Sequence, residues 1–360
     1  MLVDGRPMRS LRAAPARDAV EVIDQRWLPH ELRVARLADV AAVAQAISAM
    51  WVRGAPLIGA TAAYGLALQC RRDPGDAALQ AAAATLAATR PTAVNLQWAL
   101  QRLLQRLLPL PAAARAAVAW QEADAIAEAD VAANAAIGRN GLQWLRGLSP
   151  RDGRRLNLLT HCNAGWLATV DWGTALAPVY AAQAAGLELH VWVDETRPRN
   201  QGASLSAWEL AQQRVPHTLV ADNAGGHLMQ RGLVDAVIVG CDRVAANGDV
   251  CNKIGTYLKA LAARASSVPF LVAMPVSTLD LRLSDGAAIP IEERAAREVT
   301  HLQGRAPDGR LVEVQLAPDG CAAANPAFDL TPAALVTALI TEHGVIRAEA
   351  DALRRLGGAA

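Results

Sequence analysis

The spacing of apolar residues changes near the middle of this 360-residue chain. In the first part, apolar positions recur mostly at helical intervals, as in residues 37–52, where Asp39 is placed to cap the helix. Only a short segment at residues 19–27 has the composition of a strand. Four more helices are predicted over residues 57–70, 78–90, 94–108 and 112–146. The first part of the chain is therefore predicted to be mainly helical.

After residue 155, short apolar segments alternate with helical ones. Strands are predicted over residues 156–162, 188–195, 217–222, 234–242 and 269–275, and helices over residues 173–186, 204–214, 224–232 and 253–265. Strands separated by helices predict a parallel sheet with helices on both faces. The composition shifts at residues 147–155. We take this segment as the boundary between a mainly helical N-terminal domain, residues 1–150, and an α/β catalytic domain, residues 151–360.

Composition narrows the possible functions. The sequence has 35 Lys and Arg against 34 Asp and Glu, without a basic block, which argues against a nucleic-acid partner. Its five cysteines are scattered and form no C-x-x-C pair, so reduced thiols and a cytoplasmic location are expected. The first residues lack the apolar core of a signal peptide, and the longer uncharged stretches are interrupted by Gly, Pro and polar residues. No membrane association is therefore expected.

Reactive or ligand-binding side chains follow four of the five predicted strands. They lie in residues 160–165, 193–202, 240–253 and 274–280. In open α/β sheets, ligands bind outside the carboxyl ends of the strands. The sequence therefore predicts a site at this edge of the sheet.

Cys162 follows the first of these strands and precedes a predicted helix. Because a helix N-terminus stabilises negative charge, a thiol at this place can react as a thiolate. The alternative is a buried cysteine that acts only as a small apolar residue. The neighbouring His161 would point to the other face of a strand, so a Cys–His dyad is not expected.

Two acidic residues end other strands. Asp242 ends an apolar segment, where partial loss of solvent would raise its pKa and let it hold a proton near neutrality. The alternative is a helix cap or a salt bridge to Arg243. Asp194 has the same position on its own strand, but Arg197 and Arg199 follow it as potential ion-pair partners. We therefore expect Asp194 to have a structural or orienting role.

Several features predict an anion site. Asn252 and Lys253 are predicted to start a helix, whose amides together with the ammonium group suit a phosphate. Gln201 can supply an amide after the second strand, while Arg53 and Arg90 each precede a turn and a predicted helix. No Walker loop and no dinucleotide-binding G-x-G-x-x-G segment occurs in the sequence. No cluster with metal-ligand spacing is visible either, so neither a cofactor nor a metal is expected.

Together these segments resemble the methylthioribose-1-phosphate isomerases of methionine salvage. The resemblance covers roughly residues 20 to 350 and rests on long segments: 53–59, 90–100, 160–176, 191–210, 237–257 and 325–345. The wider superfamily also contains ribose-1,5-bisphosphate isomerases and regulatory subunits of a translation-initiation nucleotide-exchange factor. The resemblance implies a helical N-terminal domain, a Rossmann-like C-terminal domain and a homodimer.

The resemblance also implies roles for individual residues. Asp242 is the expected proton donor and Cys162 the second catalytic group. The sugar phosphate is expected to be bound by Arg53, Gly54, Ala55, Arg90, Gln201, Asn252 and Lys253. After ring opening, the sequence leaves open whether Cys162 removes a proton from carbon 2 or hydride shifts from carbon 2 to carbon 1. It also leaves open an isomerase of ribose 1,5-bisphosphate or 5-deoxyribose 1-phosphate, and a regulatory subunit without catalysis.

Overall fold

Long helices fill the first part of the molecule. The structure, a computed structural model, describes residues 1–90, 93–150, 153 and 155–358. Its first five helices are α1 Val40–Ser48, α2 Ala55–Arg72, α3 Asp76–Ala87, α4 Val94–Leu107 and α5 Ala112–Leu145. The predicted cap is confirmed, because the Asp39 carboxylate accepts a hydrogen bond from the amide of Ala42. No helix in the described ranges is both long and apolar enough to cross a membrane.

Short strands precede the helices. They are β1 Leu2–Val3, β2 Arg6–Pro7, β3 Leu11–Ala13, β4 Val20–Ile23 and β5 Val34–Leu37, and the last three form an antiparallel sheet in the order β3-β4-β5. Strand β4 lies within the segment that the sequence predicted to be β-rich. A hydrophobic core formed by α1–α5 and this sheet contains many alanines, because small side chains let helices approach closely.

The second part contains the predicted sheet. Its strands are β6 Leu156–Thr160, β7 Leu189–Asp194, β8 His217–Val220, β9 Ala236–Val239, β10 Arg243–Ala245, β11 Val250–Lys253, β12 Phe270–Ala273, β13 Leu279–Asp280, β14 His301–Arg305, β15 Leu311–Gln315, β16 Phe328–Thr331, β17 Ala338–Thr341 and β18 Gly344–Ile346. Its helices are α6 Ala177–Ala184, α7 Ala207–Gln212, α8 Ala224–Gln230, α9 Thr256–Ala265, α10 Arg297–Thr300 and α11 Ala350–Gly357. All five predicted strands are present.

The central sheet is parallel except at one edge. Its order is β18-β17-β12-β9-β6-β7-β8, and only β18 runs antiparallel to its neighbour. The predicted α/β architecture, with helices first and a Rossmann-like parallel sheet after them, is confirmed. From β6 the chain continues to β7 and β8 on one side, and then to β9 and β12 on the other. The strand order therefore reverses between β6 and β9, where a crevice opens at the carboxyl ends.

A smaller sheet lies beside the crevice, with the order β13-β10-β11-β16. It corrects the prediction for Asn252 and Lys253, which belong to strand β11 and do not start a helix. Helix α9 begins three residues later, at Thr256. The amide of Gly255 donates to the Asp329 carboxylate at 2.7 Å, so that helix terminus already has an anionic partner.

The proposed domain boundary stays a prediction. Residues 151, 152 and 154 of the predicted segment 147–155 lie outside the described residues. Helix α5 ends at Leu145 and packs against α6 and β17, so it joins the helical part to the sheet.

Candidate active site

One crevice at the switch point brings the predicted site residues together. It has two adjoining chambers of about 70 Å³ and about 40 Å³. The larger chamber is lined by eight predicted residues: Arg53, Gly54, Ala55, Arg90, Cys162, Gln201, Asp242 and Lys253. The ninth, Asn252, lines the smaller chamber, which shares Cys162 and Asp242 with the larger one. Both parts of the fold supply walls of the crevice.

Cys162 lies two residues beyond β6 and is buried. Its φ of 68° turns the chain at the strand end, and the Thr196 hydroxyl accepts its amide at 2.8 Å. Its Sγ lies 3.4 Å from Oε1 of Gln201. The predicted helix terminus next to the thiol is wrong: a single 3₁₀ turn at Trp166–Ala168 follows, and α6 starts only at Ala177.

Two cations, Arg53 and Lys253, lie near Cys162, where the sequence predicted the N-terminus of a helix. Burial lowers the pKa of both Arg53 and Lys253, and the charge of a Cys162 thiolate is the largest effect that opposes this shift. Both positive groups therefore lie near the Cys162 side chain, and all three line the larger chamber.

His161 has partners away from Cys162, as expected. Its Nδ1 lies 2.9 Å from Oδ2 of Asp194, and its Nε2 lies 2.8 Å from the carbonyl oxygen of Ile254. Lys259 places its Nζ 3.0 Å from the same Asp194 oxygen. Asp194 is thus structural, as predicted, but the predicted partners are wrong. Arg199 pairs instead with Glu298, and the Arg197 side chain binds the carbonyl oxygens of Pro198 and Val299.

This network includes a group with metal-ligand chemistry that sequence spacing did not reveal. One ligand atom from each of His161, Asp194 and Asp222 lies within 4.8 Å of the others. The Lys259 ammonium already contacts Asp194 and donates to the Asp222 carbonyl oxygen at 2.6 Å. A positive charge of the protein itself therefore offsets one of the two carboxylate charges of this cluster.

Asp242 lies three residues beyond β9 and faces both chambers. Burial raises the pKa of its carboxyl group, as the sequence predicted, while nearby cations oppose the shift. These cations are Lys253, Arg53, Arg90 and Arg294. Arg243, considered as an alternative partner, has its guanidinium 3.9 Å from the Asp280 carboxylate. The environment of Asp242 suits an acid that delivers a proton.

The cations deepest in the crevice are held by neutral groups. Arg53 donates to Oδ1 of Asn163, and to the carbonyl oxygen of the same residue at 2.6 Å. Lys253 donates to the Ala327 carbonyl oxygen at 3.0 Å, and its Nζ lies 4.7 Å from the centre of the Phe328 ring. Both cations are only 8% exposed, and neither forms an ion pair within the described ranges. Since burying an unpaired charge is costly, a bound anion would stabilise both groups.

Sequence reasoning missed Arg294, a further cation on the wall of the larger chamber. Its side chain is 9% exposed, and its Nε lies 3.3 Å from Oε1 of Glu292. Arg90 approaches the other oxygen of Glu292 at 3.4 Å. Arg294 follows no predicted strand, so the strand-end rule could not select it. The only local signal was the charged triplet at 292–294.

The start of α2 also faces the crevice. Gly54 has a φ of 96°, and a Cβ at this position would lie 2.3 Å from the Ala168 carbonyl oxygen. Only glycine allows this close approach. No side chain caps the helix, so its first amides, other than that of Pro56, which has no N–H, can interact with an anion. Pro91, predicted to initiate the helix after Arg90, lies outside the described residues, and α4 begins at Val94.

A cationic crevice at the switch point of a parallel sheet is typical of an α/β protein that binds a small anion. A family model described as "Initiation factor 2 subunit family" matches residues 51–348, and the chain belongs to this family. Two curated relatives named methylthioribose-1-phosphate isomerase are similar over nearly their whole length. The one from Methylobacterium nodulans is 61% identical over 357 residues, and the one from Cereibacter sphaeroides is 58% identical over 357 residues; each match covers 99% of this chain and 98% of the relative.

Solved structures show the same fold. The 5-methylthioribose 1-phosphate isomerase from Pyrococcus horikoshii OT3 is 40% identical with a TM-score of 0.85, and the match covers 99% of this chain and 97% of that chain. A protein described as translation initiation factor eIF-2B, subunit delta, from A. fulgidus is 39% identical with a TM-score of 0.80, over 97% of this chain and 100% of that chain. Solved structures that are about 40% identical to this chain therefore include proteins with two different names.

Proposed function

We propose that this protein is an aldose–ketose isomerase that converts 5-methylthioribose 1-phosphate to 5-methylthioribulose 1-phosphate in methionine salvage. Relatives about 60% identical over almost the whole chain carry this enzyme's name. The observation that carries the proposal is the meeting of Asp242, Cys162 and cations without carboxylate partners in one crevice. A non-catalytic binding site would need the cations but not the acid and the thiol.

Asp242 acts as the general acid. In an aldose 1-phosphate, the phosphate blocks the anomeric oxygen, so the sugar cannot open to a free aldehyde in the ordinary way. Ring opening therefore requires a proton on the ring oxygen while the phosphate stays attached. Burial raises the pKa of Asp242 against the effect of the nearby cations, and this direction favours the protonated form that the step needs.

Cys162 acts after ring opening. In one route, its thiolate removes the proton at carbon 2, which gives an enol, and protonation of carbon 1 then gives the ketone. In the other route, hydride passes from carbon 2 to carbon 1, and no proton of carbon 2 reaches the solvent. Product formed in deuterated water separates the two, because only the first route introduces solvent deuterium.

The phosphate is bound by Arg53, Lys253 and the first amides of α2, with Arg90, Gln201 and Asn252 completing the site. Uncapped helix amides and unpaired cations are the groups that bind phosphate in proteins. The rest of the larger chamber is lined by apolar side chains, Met50, Ile58, Ala93, Ile289, Pro290 and Phe328, together with Cys251, Arg243 and Arg294. The apolar side chains suit a methylthio group at carbon 5, whereas Arg243 and Arg294 would suit a second phosphate, so the comparison of substrates below decides between them.

Lys253→Met is expected to weaken substrate binding without lowering stability. A lost hydrogen bond to a charged group corresponds to roughly a 10- to 100-fold higher KM. The melting temperature should stay equal or rise, because the variant removes a buried charge that has no carboxylate partner. Steady-state kinetics and thermal unfolding measure both effects.

Lys259→Met is the matched control, because Lys259 is also a buried lysine. It leaves Asp194 without its cation, so it should lower the melting temperature. An unchanged KM in Lys253→Met would remove Lys253 from the phosphate site.

The proposal is tested by assaying 5-methylthioribose 1-phosphate, ribose 1,5-bisphosphate and 5-deoxyribose 1-phosphate side by side. We expect the highest kcat/KM with the first. A higher kcat/KM with ribose 1,5-bisphosphate would instead indicate an isomerase of that compound. The likeness to a protein described as an initiation-factor subunit favours a second candidate, a regulatory subunit that binds a sugar phosphate without catalysis. Binding of all three compounds without turnover would support that candidate.

We further propose a cytoplasmic homodimer that needs no cofactor. All five cysteines are free thiols, in agreement with a reducing compartment. Helix α9 exposes Leu258 and Leu261, which provide an apolar surface for a partner subunit. Light scattering of the purified protein would test the dimer, and full activity after dialysis against a chelator would support the absence of a metal.

A further inference from the structure

Arg53 is held by both oxygens of a single residue. Its two terminal nitrogens donate to the side-chain and main-chain oxygens of Asn163, and both side chains are buried. A guanidinium fixed in this two-pronged way has little freedom to rotate. Because both acceptors are neutral, the positive charge is not cancelled at its own binding site.

A carboxylate lies directly behind Asn163. Glu209, which is fully buried, accepts from Nδ2 of Asn163 at 2.8 Å. It also accepts from the amides of Trp166 and Leu167 at 2.8 and 3.0 Å and from the Tyr180 hydroxyl at 2.8 Å. All four partners are donors, which is the environment of an ionised carboxylate.

The chain is shaped around this carboxylate. A Cβ at Gly165 would lie 1.9 Å from Oε2 of Glu209, so only glycine fits there. The segment that follows Cys162 therefore wraps around Glu209. Burial raises the pKa of Glu209, and its four hydrogen bonds oppose that shift. Whether or not it is ionised, the Glu209 carboxyl group is separated from the Arg53 guanidinium by the side-chain amide of Asn163.

We infer that Asn163 and Glu209 are positioning residues of the active site. Asn163 holds Arg53 through neutral acceptors and separates it from the carboxylate of Glu209, which fixes the orientation of the Asn163 amide. Arg53 is thereby fixed in place while its charge remains available to the substrate phosphate. This inference rests on the proposed function, since it assigns Arg53 to the phosphate.

The most direct test exchanges the amide of Asn163 and the acid of Glu209 between their two positions. In the double variant Asn163→Asp/Glu209→Gln, the net charge is unchanged and an acid–amide hydrogen bond can form between the positions, at the cost of the hydrogen bond that Oε1 of Glu209 accepts from the Leu167 amide. The negative charge, however, now lies directly against Arg53. We expect KM for 5-methylthioribose 1-phosphate to rise roughly 10- to 100-fold, with an equal rise in the inhibition constant of inorganic phosphate. Glu209→Gln alone should raise both constants less.

Tyr180→Phe is the matched control, because it removes another hydrogen bond from Glu209 without touching Asn163 or Arg53. It should lower the melting temperature and leave KM within about twofold, since one hydrogen bond away from the substrate is lost. Should the double variant lose only thermal stability while KM and phosphate inhibition stay at wild-type values, Asn163 and Glu209 are structural and the inference is wrong.

The wild-type protein separates this inference from the proposed function. If it does not turn over the sugar phosphate, the proposed function is wrong. Binding of inorganic phosphate, measured by calorimetry on the wild type and the double variant, still tests the role of Asn163 and Glu209. Equal phosphate affinity in the two proteins would overturn that role whatever the natural substrate is.

Discussion

Asp242→Asn is expected to lower kcat by roughly 10²- to 10⁴-fold while leaving affinity for the sugar phosphate nearly unchanged. Asparagine has the shape of the acid but has no proton to give to the ring oxygen. The cations that bind the phosphate remain in place, so binding should persist. Steady-state kinetics with the variant, together with calorimetric titration of the substrate, measure the two effects separately.

The same variant has an expected effect on stability. Because the pKa of Asp242 is raised in the folded protein, the folded state binds this proton more tightly than the unfolded state does. That contribution to stability is present below the unfolded pKa and is lost as pH rises through the folded pKa. The asparagine variant has no such titration. As pH rises from acidic to alkaline values, the melting temperature of the variant should therefore increase relative to that of the wild type.

Two results would count against Asp242 as the acid. Turnover close to wild type would exclude it from the rate-determining chemistry. A melting temperature that falls behind the wild type as pH rises would show that the folded protein stabilises the ionised carboxylate. Asp242→Glu is a useful control, since it restores a carboxylic acid but places it at a different distance from the substrate.

The placement of the proposed catalytic pair could be predicted from sequence because it follows from strand direction. Cys162 and Asp242 each follow an apolar strand of a parallel sheet, and parallel strands present their carboxyl ends at one edge. The strand-end rule says which edge carries the site. It does not say that β6 and β9 are neighbours, because strand order depends on contacts between distant segments.

Local pattern failed where distant pairing decides the structure. Residues 250–253 form a strand because they pair with β16, in which Phe328 lies opposite Lys253. Nothing within the segment itself indicates that partner, 75 residues away along the chain. The helical pattern after residue 255 was therefore extended too far towards the N-terminus. Lys253 still reaches the crevice, but from a strand and without the amides of α9.

Residues that support the site could not be predicted from the sequence for the same reason. Arg294 lines the larger chamber and Glu209 contacts Asn163, and both belong to segments whose own sequence has no motif of binding or catalysis. Their roles depend on burial and on the identity of the opposite atom, which only the folded structure defines. The sequence therefore predicts the proposed catalytic residues more readily than the residues that would hold the site in place.

Cys162→Ser is expected to lower kcat by roughly 10²- to 10⁴-fold, because a serine hydroxyl does not ionise near neutral pH and cannot replace a thiolate base. The variant keeps a polar atom near Oε1 of Gln201, so the fold and phosphate binding should be preserved. A wild-type reaction in deuterated water that places deuterium at carbon 1 would connect this loss to proton transfer. Turnover of the serine variant near the wild-type rate, with no deuterium in the wild-type product, would instead favour the hydride shift. In that case the thiol only fills space beside Arg53 and Lys253, and the work of catalysis falls on Asp242 and the phosphate-binding cations.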